Sequence, residues 1–425
     1  MRKTRVTLAL LPLVAAATVL APASPALAAT CNPHCYGIAR MTRATHGGTT
    51  NLRVTCLGVS NVNTQFVTQE FWVHTGASSS NTWVEQGMTI GTPRSARSWF
   101  WADSRPGSGG YHEHYPSHSA SLNTTYIMTI SYAGSNSWNV YEHGGSPLGV
   151  STANNSSSPF VTVGEEITDT TAQGAAVHSS LYYKDTADAF HQGWPGAVIS
   201  GHNPPTAQWI STNNSMRAYS NCSAPSVSSA AQEQVDPLDI STAAARDVGR
   251  RLGGGALPTS VSYVRATAGG SPVVVVTMTG RFGKAGTVLT TTHDATTGRL
   301  LSSRITNSTA GLTGGTVVYE RTAQVTAETL SSVLEAARQL AAQNGEPAPQ
   351  DLRYVQSTRA AATGGLTDTD PSVVVVTMSG RFVGHAAKVP PGGRLPTGKF
   401  LTAVYDAGTG ELTDWSITPQ APELR

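Results

Sequence analysis

Between Cys31 and Cys222 apolar and polar residues alternate in short runs broken by Gly, Asn and Pro clusters, with almost no helical spacing. Alternation at period two gives a strand one buried and one outward side, so this stretch is expected to fold as an all-β sandwich or jelly roll. Predicted strands are Gln65 to His74, Thr82 to Ile90, Arg97 to Ala102, Tyr126 to Tyr132, Ser137 to Glu142 and Val161 to Thr168. All four cysteines, Cys31, Cys35, Cys56 and Cys222, fall in the same region. An even count in an exported chain reads as two disulfides. Two strands around His46-Gly47-Gly48 would let Cys35 face Cys56 across a hairpin, leaving Cys31 to join Cys222. Metal binding by Cys31, Cys35 and His34 is the alternative, but the other two sulfurs have the wrong spacing for zinc.

The first residues point to export. Arg2, Lys3 and Arg5 precede an apolar run from Val6 to about Ala21, and Ala26-Leu27-Ala28 has the small-x-small form of a cleavage site. Residues 1–28 are therefore expected to be a signal peptide, and the mature chain to be secreted, extracellular or wall-associated. No later run approaches the ~18 to 20 apolar residues of a membrane helix, so no membrane partner is expected after cleavage. Charged residues make up 13%, the net charge is +2 and no Lys/Arg cluster occurs, which excludes nucleic acid as an expected partner.

The chain is predicted to be multidomain. A sandwich over 29–222 is followed by a Ser/Ala/Pro-bearing linker, 223–237, and a tandem α+β module over 238–310 and 322–420. The module is tandem because the sequence repeats: Val273-Val274-Val275-Val276-Thr277-Met278-Thr279-Gly280-Arg281-Phe282 returns 100 residues later as Val373 to Phe382, with only Thr279 becoming Ser379. Downstream, Asp294-Ala295-Thr296-Thr297-Gly298 is echoed by Asp406-Ala407-Gly408-Thr409-Gly410, a turn signature. A helix is predicted before each copy, one from near Ser241 to Gly253 and one from Thr326 to Asn344-Gly345 with Leu330, Val333, Leu334, Ala337, Leu340 and Ala341 on one face. The order of elements resembles PepSY-type domains of propeptides and wall-associated proteins, which implies a spacer, inhibitory or docking role. Arg281 and Arg381 read as structural strand ends, with anion or peptide contact as the alternative.

Candidate chemistry lies in the sandwich. Trp72-Val73, Trp83-Val84-Glu85-Gln86-Gly87, Trp99-Phe100-Trp101 and Tyr111-His112-Glu113-His114-Tyr115-Pro116 follow one another in that order. The order is similar to that of the glutamic peptidases (eqolisins), which implies a concanavalin-A-like sandwich with a concave sheet. Aligned on Gly87, Glu85 stands at the family's catalytic glutamine, and the late catalytic glutamate falls on Glu165 or Glu166. The residues by themselves allow more. Trp83, Glu85 and Gly87 share one strand face, as do Tyr111, Glu113 and Tyr115. Carboxylates beside rings serve as an acid–base pair, or they bind hydroxyls while Trp83, Trp99, Trp101, Tyr111 and Tyr115 stack on sugars. The same rings serve equally as core. His112, His114 and His118 invite a metal reading because His112 and His114 project to one side of a strand, but no third ligand at a recognised spacing accompanies that pair. Asp169, Asp185 and Asp188 lack a calcium-loop pattern, and no Gly-x-Ser-x-Gly elbow occurs, so neither metal nor cofactor is expected. The leading expectation is a lectin-like secreted protein that binds polysaccharide or extended peptide. A hydrolase using Glu85 with Glu165 or Glu166 is the first alternative, and a structural wall or coat protein the second.

Overall fold

A computed structural model describes residues 31–77, 81–142, 146–225, 237–252, 260–268, 271–282, 286–306, 325–363 and 370–422. The predicted signal peptide and most of the predicted linker lie outside the described residues.

The first half is a β-sandwich. Its strands are β1 (Cys35–Thr45), β2 (Gly47–Gly58), β3 (Phe66–His74), β4 (Trp83–Gly91), β5 (Arg94–Arg105), β6 (Gly110–His114), β7 (Thr125–Gly134), β8 (Ser137–Glu142), β9 (Ser146–Ser151), β10 (Ser158–Ile167), β11 (Gln173–Lys184), β12 (Phe190–Gln192), β13 (Val198–Gly201), β14 (Thr206–Ser211) and β15 (Ser215–Ser220). One sheet runs β13-β1-β10-β3-β4-β5-β6 and the other β14-β15-β11-β2-β7-β8-β9. Between them lies a core that includes Met41, Leu52, Val54, Phe71, Val84, Met88, Trp99, Trp101, Trp138 and Val163.

The disulfide pairing differs from the hairpin expectation. Cys31 joins Cys35 and Cys56 joins Cys222, with Cα atoms 4.8 and 6.5 Å apart. The His46-Gly47 turn does not fold β1 back onto β2. It carries the chain across the sandwich, so Cys35 pairs along β10 in one sheet and Cys56 along β11 in the other. Cys222 follows β15, the neighbour of β11 on its other side, and Asn221 bridges to Gly174.

Each repeat is a helix on a four-stranded antiparallel sheet. The first is α1 (Pro237–Leu252) with β16 (Ser260–Ala268), β17 (Ser271–Phe282), β18 (Gly286–Asp294) and β19 (Leu300–Thr306). The second is α2 (Ala327–Gln343) with β20 (Gln350–Thr358), a short α3 (Arg359–Thr363), β21 (Ser372–Val383), β22 (Thr397–Asp406) and β23 (Leu412–Thr418). Thr326 caps α2 by accepting from the Thr329 amide, and Val333, Ala337, Leu340 and Ala341 face the sheet. Asp294 and Asp406 each accept two amides of the turns that follow, which end on Gly298 and Gly410 at φ +65° and +72°, where a side chain would be strained.

The repeats clasp the sandwich from opposite sides. Helix α1 docks on the outer face of the second sheet through Asp247, whose carboxylate receives Lys184 Nζ at 2.8 Å, Ser131 Oγ at 2.5 Å and Asn139 Nδ2 at 2.6 Å. On the other side β23 pairs with β6, in the register Trp415 to Glu113 and Ile417 to Tyr111. The second repeat thereby extends the first sheet to eleven strands ending β6-β23-β22-β21-β20. Arg359 closes this junction on Asp414 and on the Tyr115 carbonyl.

Candidate functional site

Period-two alternation in β3, β4, β6 and β10 puts Glu70 and Trp72, Trp83 and Glu85, Tyr111 and Glu113, and Glu166 on the outer face of the larger sheet. Glu70 sits directly opposite Gly87 on one side and Gly164 on the other, so no neighbouring side chain walls it off. A Cβ at Gly87 would lie 2.2 Å from the Gln69 carbonyl and 3.0 Å from Glu70 Cγ, so the sheet admits no larger residue there. Glu166 and Glu85 flank Glu70 on the two adjoining strands, each two residues off the direct partner. Glu85, Ala102, Glu113 and Trp415 form one cross-strand row over β4, β5, β6 and β23.

All four carboxyls are buried. Burial pushes the Glu70 carboxyl well above the usual carboxylate range, and the charges of Glu85 and Glu166 push it the same way. Burial and then Glu166 do the same to Glu85. Both therefore remain protonated in acid and present an O–H donor. Among the described residues neither oxygen of Glu70 or Glu85 makes a hydrogen bond of normal geometry, although the Glu166 carboxyl stands close enough to act on Glu70 and the Trp83 indole on Glu85. Glu166, by contrast, is surrounded by polar groups. His34 Nδ1 lies 2.5 Å from its Oε1, and the Tyr36 hydroxyl donates at 3.3 Å. His34 stands inside the small loop closed by Cys31 and Cys35, so that bridge fixes a residue touching Glu166.

A segment of the second repeat covers this face. The copies are 100 residues apart at Val273 and Val373 but 112 apart at Asp294 and Asp406, so the β21–β22 connection is twelve residues longer than its counterpart. The longer connection brings Lys388 and Val389 onto the carboxyls. The Val389 amide donates to both Glu166 oxygens, at 3.1 and 3.3 Å, and its carbonyl accepts from Tyr36 at 2.7 Å. Lys388 Nζ lies 2.6 Å from Glu113 Oε1. The hydroxyls of Tyr111 and Tyr115 also donate to Glu113. Clefts of about 470 and 260 Å³ open on the two sides of Pro391-Gly392-Gly393, one toward Tyr36 and Ile38 and the other toward His74 and Trp83.

Several sequence-predicted residues thus meet here: Trp83, Glu85, Tyr111, Glu113, Tyr115 and Glu166. Three others do not. Trp99 and Trp101 lie opposite Met88 and Gln86, so they face the second sheet and belong to the sandwich core; stacking on a ligand is not available to them. Glu165, one residue from Glu166, faces inward too and is bound by Gln69 Nε2 at 2.7 Å and by the Ser220 hydroxyl. His112 and His114 face inward beside Asp103 and Asp414, His118 contacts Glu142, and no group placed to hold a metal ion occurs among the described residues. Asp169 and Asp185 cap turns, and Asp188 binds His46 and Arg251. Glu70, Tyr36 and Lys388 were not anticipated from the sequence, and His34 was anticipated only as a metal ligand beside Cys31 and Cys35, whereas those two cysteines form a disulfide and His34 contacts Glu166. The spacing of Glu70 from Trp72 and the widened repeat interval were the available signals.

Burial raises the Glu165 carboxyl from 4.5 to about 7, against hydrogen bonds from Ser220 and Gln69. The folded chain therefore holds this proton more tightly than the unfolded chain does. The resulting stability is full below pH 4.5 and is lost as pH rises through 7, by about 3 kcal/mol in all. Glu165→Gln should flatten that part of the profile, so urea melts of the variant and parent should converge in acid and separate above neutrality, the variant being more stable. Parallel profiles would show that Glu165 does not titrate in this range.

No protein-family model matches the sequence, and no curated protein does. Solved structures are similar at a distance. Scytalido-glutamic peptidase with a transition state analog inhibitor matches at 9% identity and TM-score 0.34, and SCP-B of the eqolisin family, in complex with the tripeptide Ala-Ile-His, at 11% and 0.31. Each match covers 45% of this chain and 100% of the other. The binding domain of botulinum neurotoxin serotype D matches at 7% identity and TM-score 0.20, over 91% of this chain and 83% of that one.

Proposed function

We propose that this chain is a secreted, acid-acting hydrolase of extended peptides, with Glu166 as base and Glu85 and Glu70 as hydrogen-bond donors. The observation that carries the reading is a peptide segment lying across a row of buried carboxyls, its Val389 amide bound to Glu166. In the reaction Glu166 takes a proton from water as the water oxygen bonds to the scissile carbonyl carbon. The neutral carboxyls of Glu85 and Glu70 donate to the developing oxyanion, as a preorganised pair of donors would. Glu166 then returns the proton to the leaving nitrogen as the C–N bond breaks, and no net proton is gained or lost. Two carboxyls held neutral beside a third group with different surroundings is the division of labour that acid–base chemistry needs. Sugar stacking loses support because Trp99 and Trp101 are core. The second repeat acts in this reading as a built-in cover, in keeping with the propeptide-like resemblance of its sequence.

The test is hydrolysis of a denatured protein by the secreted chain and by a form whose 384–396 connection is shortened to the length found in the first repeat. Cleavage is expected from the shortened form, strongest in acid and declining as Glu85 and Glu70 lose their protons at higher pH. A folded, shortened chain that cleaves nothing from about pH 3 to about pH 8, the span over which carboxyls and histidines titrate, would overturn the proposal.

A further inference from the structure

The Lys388 side chain is more completely accommodated than a packing contact requires. Its ammonium has three N–H donors, and three acceptors meet it: Glu113 at 2.6 Å, the Tyr115 hydroxyl at 3.3 Å and the Thr92 carbonyl at 3.4 Å. The rings of Phe66, Phe100 and Tyr115 stand around it with centroids 5.1, 5.5 and 5.8 Å away, within cation–π range. Every group of this pocket belongs to the sandwich, whereas Lys388 arrives from the twelve-residue extension that the first repeat lacks. The pocket also has a defined place relative to the chemistry, because Glu113 shares a cross-strand row with Glu85 and the next residue along the loop binds Glu166. Pro390 and Pro391 follow at once, and their fixed φ lowers the entropy lost in holding the loop extended.

We infer that the pocket of Glu113, Tyr111, Tyr115, Phe66 and Phe100 is a subsite for a lysine side chain, which selects peptides placing lysine next to the residue over Glu166, and that Lys388-Val389 is its internal occupant. The inference rests on the peptide reading of the site given above. Glu113 supplies the charge, and Tyr111 and Tyr115 hold its carboxylate toward the ammonium. A neutral side chain of similar length would leave Glu113 buried with its charge unmatched, which is the basis of the selectivity.

The probe is fluorescein-labelled Ala-Ala-Lys-Val-Pro-Pro, the sequence of residues 386–391, set against the same peptide with Met for Lys. Lys388→Met in the full chain keeps the aliphatic stem among the rings while removing the charge that anchors the loop. The shortened-loop chain is the second host should that variant fold poorly, with circular dichroism and melting as controls. Fluorescence anisotropy should show the lysine peptide binding about 10- to 100-fold more tightly than the methionine peptide, and Glu113→Gln should erase the difference, because a hydrogen bond to a charged group is what separates them. Equal affinities in either folded host, or no binding of either peptide to the folded shortened-loop chain, whose pocket is vacated, would overturn the subsite. Lysine preference in binding without hydrolysis of any substrate would sustain the subsite and sink the hydrolase. Hydrolysis with no enrichment of lysine near the cut bonds would do the reverse.

Discussion

In a chain whose covering loop has been shortened, Glu166→Gln is expected to lower the rate of peptide hydrolysis by about 10²- to 10⁴-fold, the range over which a positioned general base acts. The amide has the size of the carboxylate and still accepts from Tyr36, so binding of the peptide should change little and the loss should fall on kcat. His34 sharpens the expectation, since its Nδ1 touches the same carboxyl and fixes its position. Glu85→Gln is expected to behave differently. A buried, protonated Glu85 donates one O–H, and an amide donates an N–H from the same place, so much of the rate should survive and the decline at higher pH should move upward. Glu85→Leu removes the donor and should cost about 10²-fold or more. Pre-steady-state and steady-state kinetics of the three variants settle the roles, and a Glu166→Gln chain with parental kcat would eliminate the mechanism.

The second large effect concerns the two disulfides, which should separate cleanly into stability and activity. Cys56 and Cys222 are 166 residues apart in sequence, and closing a loop of that length is worth about 5 kcal/mol in the chain-entropy account. Cys31 and Cys35 are four apart and by the same account contribute about 2 kcal/mol. Replacing Cys56 and Cys222 by Ser should therefore lower the denaturation midpoint strongly. Replacing Cys31 and Cys35 should spare much of the stability and impair turnover instead, because the small loop that holds His34 against Glu166 is released. Denaturant melts paired with kinetics for each double variant check this. The reverse assignment, with the short bridge dominating stability, would mean that the loop around His34 is a folding element and not a support for the site.

Local pattern determined a good deal of this protein. Period-two alternation placed β3, β4, β5, β7, β8 and β10 to within a few residues of the expected strands, because each strand's choice of in and out is made by its own side chains. Thr326 and Asn344-Gly345 bounded α2 from the sequence, and the Asp-x-x-x-Gly spacing marked both turns, since caps and turns are satisfied by residues two to four positions away. Alternation also put Trp83, Glu85 and Gly87 on one face together.

The choice between faces was another matter. All nine residues of β3 are buried, and so are the last seven of β10, because one side meets the second sheet and the other meets the second repeat. With both sides dry, hydropathy cannot tell Glu165 from Glu166, or the face of Trp99 and Trp101 from that of Glu85. Disulfide pairing depended on the crossing of the chain from β1 to β2 between sheets, which a turn signature does not distinguish from a hairpin. The Lys388 to Glu113 contact joins residues 275 positions apart. It exists only because β23 adds to the edge of β6 and carries the extended loop over the carboxyls, a consequence of sheet addition and loop length that no local interaction encodes.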